Sequence, residues 1–368
     1  MSKSAFAVVG DLHMAPHVYS EFPTMRGDSE AALDQIIDYC DSHNLPLYLA
    51  GDSLDKCSQR SEMIGLMHKA VERLGEVWAV QGQHEKDTPP WISSIGGFYT
   101  GDGVLRNLGG LTVVGLDYEA PRVILEKLAN VPPCDVLILH QMVKESTVGI
   151  KGAYDIELAD LPEQAKLIIA GDNHNGWSVK LPDGRTVTYT GSMRMCSRNE
   201  PLEKHFLVVH DDLTIEVVPL KTRPYLRFEI VSENILDAAL KKIRGAVTAA
   251  EGDPSPIAQP FVHIKYLPEI ENLQERVRVA CDDKAFLKLV PFQSVETHGE
   301  ETEVVEGATT LEGCLAEVVD QKADPELFEF VQELLASEAP KDVVAVWKGQ
   351  YEEGNRPKNS TQVESVDK

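Results

Sequence analysis

An alternating α/β domain is the fold class this chain predicts, on three observations. Short apolar runs recur at 5–9, 45–50, 77–80, 136–139 and 167–170, each bounded by Gly and polar residues in the manner of buried strands. Amphipathic segments of helical period lie between the early runs. Each run also ends in a polar cluster: Gly10-Asp11-Leu12-His13, Gly51-Asp52-Ser53-Leu54-Asp55, Gly82-Gln83-His84-Glu85, His140 after Leu139, and Gly171-Asp172-Asn173-His174. Loops at strand ends of a layered α/β domain converge on one rim, so polar side chains from five distant segments can meet there.

The first helix is expected over 29–44, with Leu33, Ile36, Ile37 and Cys40 on one face and Ser29 as its cap. A second follows over 60–74 on Met63, Leu66, Met67, Ala70 and Leu74. A strand at 111–117 precedes a helix at 122–129. Strands at 186–190, 205–210 and 214–220, separated by Pro182-Asp183-Gly184 and Asp211-Asp212, predict a second sheet of hairpins stacked on the first. These elements make one domain over 1–220. The pattern then changes to strand 225–231, helix 234–247, strand 261–267, helix 271–281 and strand 286–292, a small α+β domain over 221–295. The Glu-rich stretch that follows has little to bury and reads as an acidic linker over 296–323.

Asp324-Pro325 is a helix start, with Asp as cap and Pro at the first helical position. Leu327, Phe328, Val331, Leu334 and Leu335 form one apolar stripe, and Val343, Val344, Val346, Trp347 and Tyr351 a second. Two readings are open for this helical segment, 324–352: the stripes cover the chain's own core, or they face a partner. Residues 353–368 are expected to be disordered.

The 368 residues hold no apolar stretch of membrane-spanning length, and the N-terminus leads directly into the first strand, so neither an anchor nor a signal peptide is expected. Six scattered cysteines without a C-x-x-C predict free thiols and a cytoplasmic location. The net charge of −24 opposes a nucleic-acid partner unless local fields differ from the mean. They do differ: residues 301–368 hold 16 acidic against 6 basic residues, whereas 221–250 hold 6 basic against 3 acidic.

In order, the five clusters resemble the calcineurin-like metallophosphoesterases, whose pattern is D-x-H, G-D-x-x-D, G-N-H-E/D, a lone His, then G-H-x-H. Within that superfamily the chain is most similar to the SbcD-type nuclease subunits of double-strand-break-processing complexes and their phage counterparts. The resemblance covers residues 4 to 220 at motif level. It implies a four-layer αββα sandwich, a small α+β capping domain on the DNA-facing side, and a C-terminal helical segment that binds the coiled-coil root of an SMC-like ATPase. It also implies two divalent ions, one held by Asp11, His13, Asp52 and His174, the other by Asp52, Gln83, His140 and Asp172, with Asp52 bridging. Gln83 stands where the family has Asn, and Asp172 where it has His. Both departures fall on the second ion and leave it one imidazole and three oxygens, a hard set that favours Mn²⁺, with Mg²⁺ as the alternative, over zinc.

By the same resemblance His84 donates the proton to the departing alkoxide. Asp55 either orients His84 or caps the following helix. Ser192, Arg194 and Arg198 lie where the family has a glycine-serine turn near the substrate phosphate, and the arginines are equally readable as solvated surface charges. The leading function is a metal-dependent DNA nuclease, a 3′-to-5′ exonuclease with endonuclease activity in repair, recombination or replication, working as a homodimer with the ATPase. Two other classes stay open: a phosphodiesterase or phosphatase on small or nucleotide substrates, and a non-catalytic adaptor without the second ion.

Overall fold

A computed structural model describes residues 2–17, 19–55, 61–147 and 154–292. From the N-terminus, β1 (Ser4–Val9) leads through α1 (Asp28–His43) to β2 (Leu47–Ala50), and α2 (Ser61–Leu74) leads to β3 (Val77–Val80). After the single turn of α3 (Trp91–Ser94) comes β4 (Phe98–Tyr99). These four strands are parallel neighbours, the outcome of strand–helix–strand crossovers.

The chain then builds a second sheet from β5 (Arg106–Leu108), β6 (Leu111–Leu116), β7 (Cys134–His140), β8 (Ala165–Gly171), β9 (Trp177–Lys180) and β10 (Thr186–Tyr189), with α4 (Pro121–Leu128) between β6 and β7. Its order is β5-β6-β7-β8-β10-β9. The hairpin β11 (Lys204–His210) and β12 (Ile215–Leu220) returns to the first sheet, which reads β12-β11-β1-β2-β3-β4. The expectation that these late strands all belong to the second sheet is corrected for β11 and β12. Strand β11 runs antiparallel to β1, with Phe6 opposite Val209 and Val8 opposite Leu207.

Both faces of the central strands are covered, so the strands read as unbroken apolar runs while their side chains still alternate. Phe6 and Val8 of β1, Tyr48 and Ala50 of β2, and Val136 and Ile138 of β7 share one apolar cluster between the sheets. Ala7, Val9, Leu47 and Leu49 belong to a second cluster with α1 and α2, and Leu137 and Leu139 to a third with α4. Tyr48 carries its hydroxyl into the inter-sheet core and satisfies it on Thr100 Oγ1 at 2.5 Å.

Helix α1 begins at Asp28, with Gly27 before it at φ 88°; Ser29, the expected cap, is buried inside the first turn, and no side chain caps the helix. Residues 225–291 form β13 (Tyr225–Ile230), α5 (Glu233–Ala250), β14 (Phe261–Tyr266), α6 (Leu273–Cys281) and β15 (Phe286–Pro291). The strands are all parallel in the order β13-β14-β15, so this alternating module is a wound α/β unit where a small α+β domain was expected. It is fastened to the rest by buried Arg223, which donates to Asp28 at 2.7 Å and to the carbonyls of Arg26, Pro256 and Gln259. Met25, Met195, Tyr225 and Phe261 form an apolar seam beside it. Among the described residues no helix is long and apolar enough to cross a membrane. The expected linker over 296–323, the helical segment over 324–352 and the tail over 353–368 lie outside the described residues.

Candidate metal centre

The clusters meet because parallel strands end together. Beyond β1 and β2 the two loops continue side by side: Asp11 N donates to Gly51 O, His13 N to Asp52 O and Met14 N to Ser53 O, at 2.9–3.1 Å. Asp11, His13, Asp52 and Asp172 all take left-handed backbone, with φ of 51°, 43°, 47° and 88°. That conformation costs a residue with a Cβ about 1 kcal/mol or more and recurs at functional sites. Gly82 serves close approach, since a Cβ there would lie 2.1 Å from Asp52 Oδ1.

Seven side chains converge in two overlapping groups. In one, His13 Nε2 and His174 Nε2 are 3.0 Å apart, with Asp11 Oδ1 at 3.6 Å from His174 and 3.9 Å from His13, and Asp52 Oδ2 at 3.8 Å from His13. In the other, His140 Nε2 lies 3.4 Å from the same Asp52 Oδ2 and 4.0 Å from Asp172 Oδ1, while the Gln83 amide donates to Asp172 Oδ1 at 2.7 Å. Gln83 Oε1 is the atom that amide has left to offer an ion. Asp52 is common to both groups.

The donor set fits cations, and the tautomers say why. His140 Nδ1 donates to the carbonyl of Ala50 at 2.8 Å, which leaves its fully buried Nε2 without a hydrogen-bond partner among the described residues. His174 Nδ1 donates to the Glu200 carboxylate at 2.8 Å, so its Nε2 also points a lone pair inward, toward His13. With His174 Nε2 accepting from His13 Nε2 and His140 Nε2 unpartnered, a cation that displaces the His13 proton would find three imidazole nitrogens among carboxylates. The imidazoles also act on the carboxylates. Burial raises the Asp52 carboxyl, but His140 and His13 outweigh it and hold it at about 2. Burial dominates at Asp11 and pushes it up.

No family model matches the chain, and neither does any curated protein. Among solved structures it is similar to a dimetal phosphatase from Danio rerio, at 10% identity and a TM-score of 0.39 over 60% of this chain and 100% of that one. It is also similar to Vps29 from Chaetomium thermophilum, at 12% identity and a TM-score of 0.29 over 59% of this chain and 95% of that one. What the centre can do therefore follows from its own atoms.

His84 stands at the rim, partly exposed. Its backbone N–H donates to Asp52 Oδ1 at 2.9 Å, its Nδ1 donates to the Asp55 carbonyl at 2.9 Å, and its ring meets His13 edge-on at 4.9 Å. Nε2 thus faces the centre, 3.9 Å from Asp52 Oδ2. Asp55 touches His84 through its main chain, while its carboxylate lies 3.7 Å from His13 Nδ1, which keeps that carboxyl below its usual range.

The three residues expected beside a substrate phosphate are engaged elsewhere. The Ser192 hydroxyl is buried, donating to Arg194 O and Glu200 Oε2. The buried Arg194 guanidinium grips the carbonyls of Leu12, His13 and Met195, bracing the first cluster from behind. Arg198 pairs with Glu21 and lies over the Tyr19 ring at 4.9 Å.

Two buried carboxyls complete the centre. Glu85, the last residue of the third cluster, accepts from Leu54 N at 2.7 Å and is pushed up to about 8 by burial and the Asp52 charge. Its motif position was visible in sequence, its bracing role was not. Glu200 accepts from His174, Ser192, Lys204 and the backbone of Cys196 and Ser197 at 2.8–3.0 Å. Nothing in the local sequence marks it as the orienting partner of His174, which lies 26 residues away, although its other partners fall within 192–204.

Proposed function

We propose that this centre hydrolyses phosphodiesters with two divalent cations, that its substrate is DNA, and that the protein works as a homodimer with an SMC-like ATPase. One observation carries the hydrolytic reading: a single carboxylate, Asp52, lies between two ligand groups, 3.8 Å from His13 Nε2 in one and 3.4 Å from the unpartnered His140 Nε2 in the other. When bound, a pair of divalent ions supplies Lewis acidity, lowering the pKa of water and neutralising the phosphoryl oxygens. Asp11, His13 and His174 would hold one ion, Gln83, His140 and Asp172 the other, with Asp52 available to both. Glu200 and the Ala50 carbonyl fix the tautomers that leave Nε2 free to bind. His84 keeps its Nδ1 proton on Asp55 O and presents Nε2 at the open rim, where an imidazolium can hand a proton to the leaving alkoxide.

The oxygen-rich second group suits Mn²⁺. The DNA reading is supported by the ordered motif pattern and by the additional wound module, which is more than a minimal small-ester hydrolase needs. Such a module suits the capping role on the DNA-facing side of a four-layer αββα metallophosphoesterase sandwich. The net charge of −24 favours the second reading, a phosphodiesterase or phosphatase on small or nucleotide substrates. Metal-free protein loaded with Mn²⁺ and offered linear duplex DNA beside a chromogenic phosphodiester separates the two. Cleavage of both supports the nuclease; cleavage of the small ester alone at low salt selects the second reading. No hydrolysis of either with Mn²⁺ or Mg²⁺ overturns the hydrolytic assignment.

A further inference from the structure

Beside the first ion position lies a donor that the proposed chemistry does not use. Cys196 Sγ, a ring nitrogen of His13 and a ring nitrogen of His174 lie within 4.8 Å of one another. The three are held in place independently of any ion. Glu200 receives His174 Nδ1 on one carboxylate oxygen and the Cys196 backbone N–H on the other, at 2.8 and 3.0 Å. Arg194 takes the His13 carbonyl with its guanidinium and faces the Cys196 thiol with its own carbonyl at 3.8 Å. The buried Glu200 carboxylate thus fixes the His174 ring and the Cys196 main chain, while Arg194 holds the His13 main chain with its guanidinium and receives the Cys196 thiol on its carbonyl.

We propose that His13, His174 and Cys196 form a nitrogen, nitrogen and sulfur pocket that captures a soft divalent cation of the zinc or cadmium class at the first ion position. This rests on the metal centre described above but not on the reaction assigned to it. Softness decides between the two donor sets that share the imidazoles. A hard ion such as Mn²⁺ takes the carboxylate oxygens of Asp11 and Asp52, whereas zinc takes thiolate sulfur in preference. Binding is a proton exchange: the ion bonds to sulfur, the S–H bond breaks, and the proton leaves to solvent. A cation drawn to sulfur leaves the Asp52 bridge weakened, which makes Cys196 the residue that sets metal selectivity here. The other cysteines among the described residues, Cys40, Cys134 and Cys281, are buried away from these imidazoles and offer no such set.

Cobalt substitution of the full chain tests this directly. Metal-free protein titrated with Co²⁺ should develop visible ligand-field bands together with a near-ultraviolet sulfur-to-cobalt transition. In Cys196→Ser that transition should vanish while the ligand-field bands persist, and Zn²⁺ should bind at least tenfold more weakly with Mn²⁺ affinity changed much less. X-ray absorption on the unmutated zinc form should show one sulfur at about 2.3 Å, a measurement independent of whether the variant folds. Ligand-field bands without the sulfur transition, or a zinc shell without sulfur, overturn the inference and leave the metal centre standing. Absence of all cobalt bands overturns both.

Discussion

His174 can hold a cation through Nε2 only while Nδ1 carries the proton, and Glu200 enforces that tautomer from 2.8 Å. Glu200→Gln should therefore weaken binding of the first Mn²⁺ by roughly ten- to a hundredfold, read by calorimetry. The same residue sets an acid limb. Burial raises the Glu200 carboxyl, but His174 and Lys204 outweigh it and hold it at about 2, against an ordinary 4.5. The unfolded chain thus binds the proton first as pH falls. The stability this group contributes is complete above pH 4.5 and is lost as pH falls toward 2, on the order of 3 kcal/mol. Urea denaturation of the metal-free protein should show that limb in the unmutated chain and a shallower one in Glu200→Gln, which is also less stable at neutral pH because buried Lys204 loses its counter-charge. At the rim, His84→Ala should lower turnover by about 10²–10⁴-fold while both Mn²⁺ ions still bind, since a proton donor is lost and no ligand. Unchanged turnover would remove His84 from the chemistry.

Among the elements, the parallel ends of β1, β2 and β3 align the ligands, and the loops beyond them leave little room to spare. Gly82 shows the tolerance: an added Cβ would meet Asp52 Oδ1 at 2.1 Å and Asp52 N at 2.5 Å, both fixed. Gly82→Ala should abolish two-ion binding while the wound module of β13–β15 and its apolar core stay intact. Hydrogen exchange would show protection lost in the loops after β2 and β3 and kept in β14. Loss of protection across the whole chain would mean that these loops support the fold and do not merely shape the site.

At the scale of the molecule, the wound module is joined to the metal centre through named contacts. Arg227 on β13 donates to the carbonyls of Arg198 and Glu200 at 2.8 and 2.9 Å, so the strand holds the loop that orients His174. Arg223 closes the other side on Asp28. Arg223→Ala removes one partner of a buried ion pair and should cost about 3–5 kcal/mol, with the module becoming the first site of limited proteolysis. The reading of 324–352 as a docking segment makes a separate prediction. A chain ending before Glu312 should keep hydrolysis of a small phosphodiester and lose co-purification with a coiled-coil ATPase. If that chain fails to fold, the two apolar stripes belong to its own core.

The α/β class was legible in the sequence because strands covered on both faces read as apolar runs and surface helices as a 3.6-residue period; both are local properties that need no partner. The polar clusters were legible for a related reason, since each follows its strand directly. Other features depend on residues far apart in the chain. Strand β11 reads the same whichever sheet it joins, and only its pairing with β1 puts it in the first. Ser29 has the residue type of a cap, yet the turn at Gly27 starts the helix earlier and buries it. Ser192 and Arg194 sit beside the last cluster in sequence, but buried hydrogen bonds turn them toward Glu200 and the main chain of the first cluster. Glu200 carries no motif at all. The residues able to hold a cation and the strands that present them were thus set by the sequence locally. Which nitrogen of each imidazole faces inward, which carboxylate serves both groups, and which sulfur lies beside them were decided by tertiary structure, because a hydrogen bond or a buried charge acquires its partner only when the chain has closed around it.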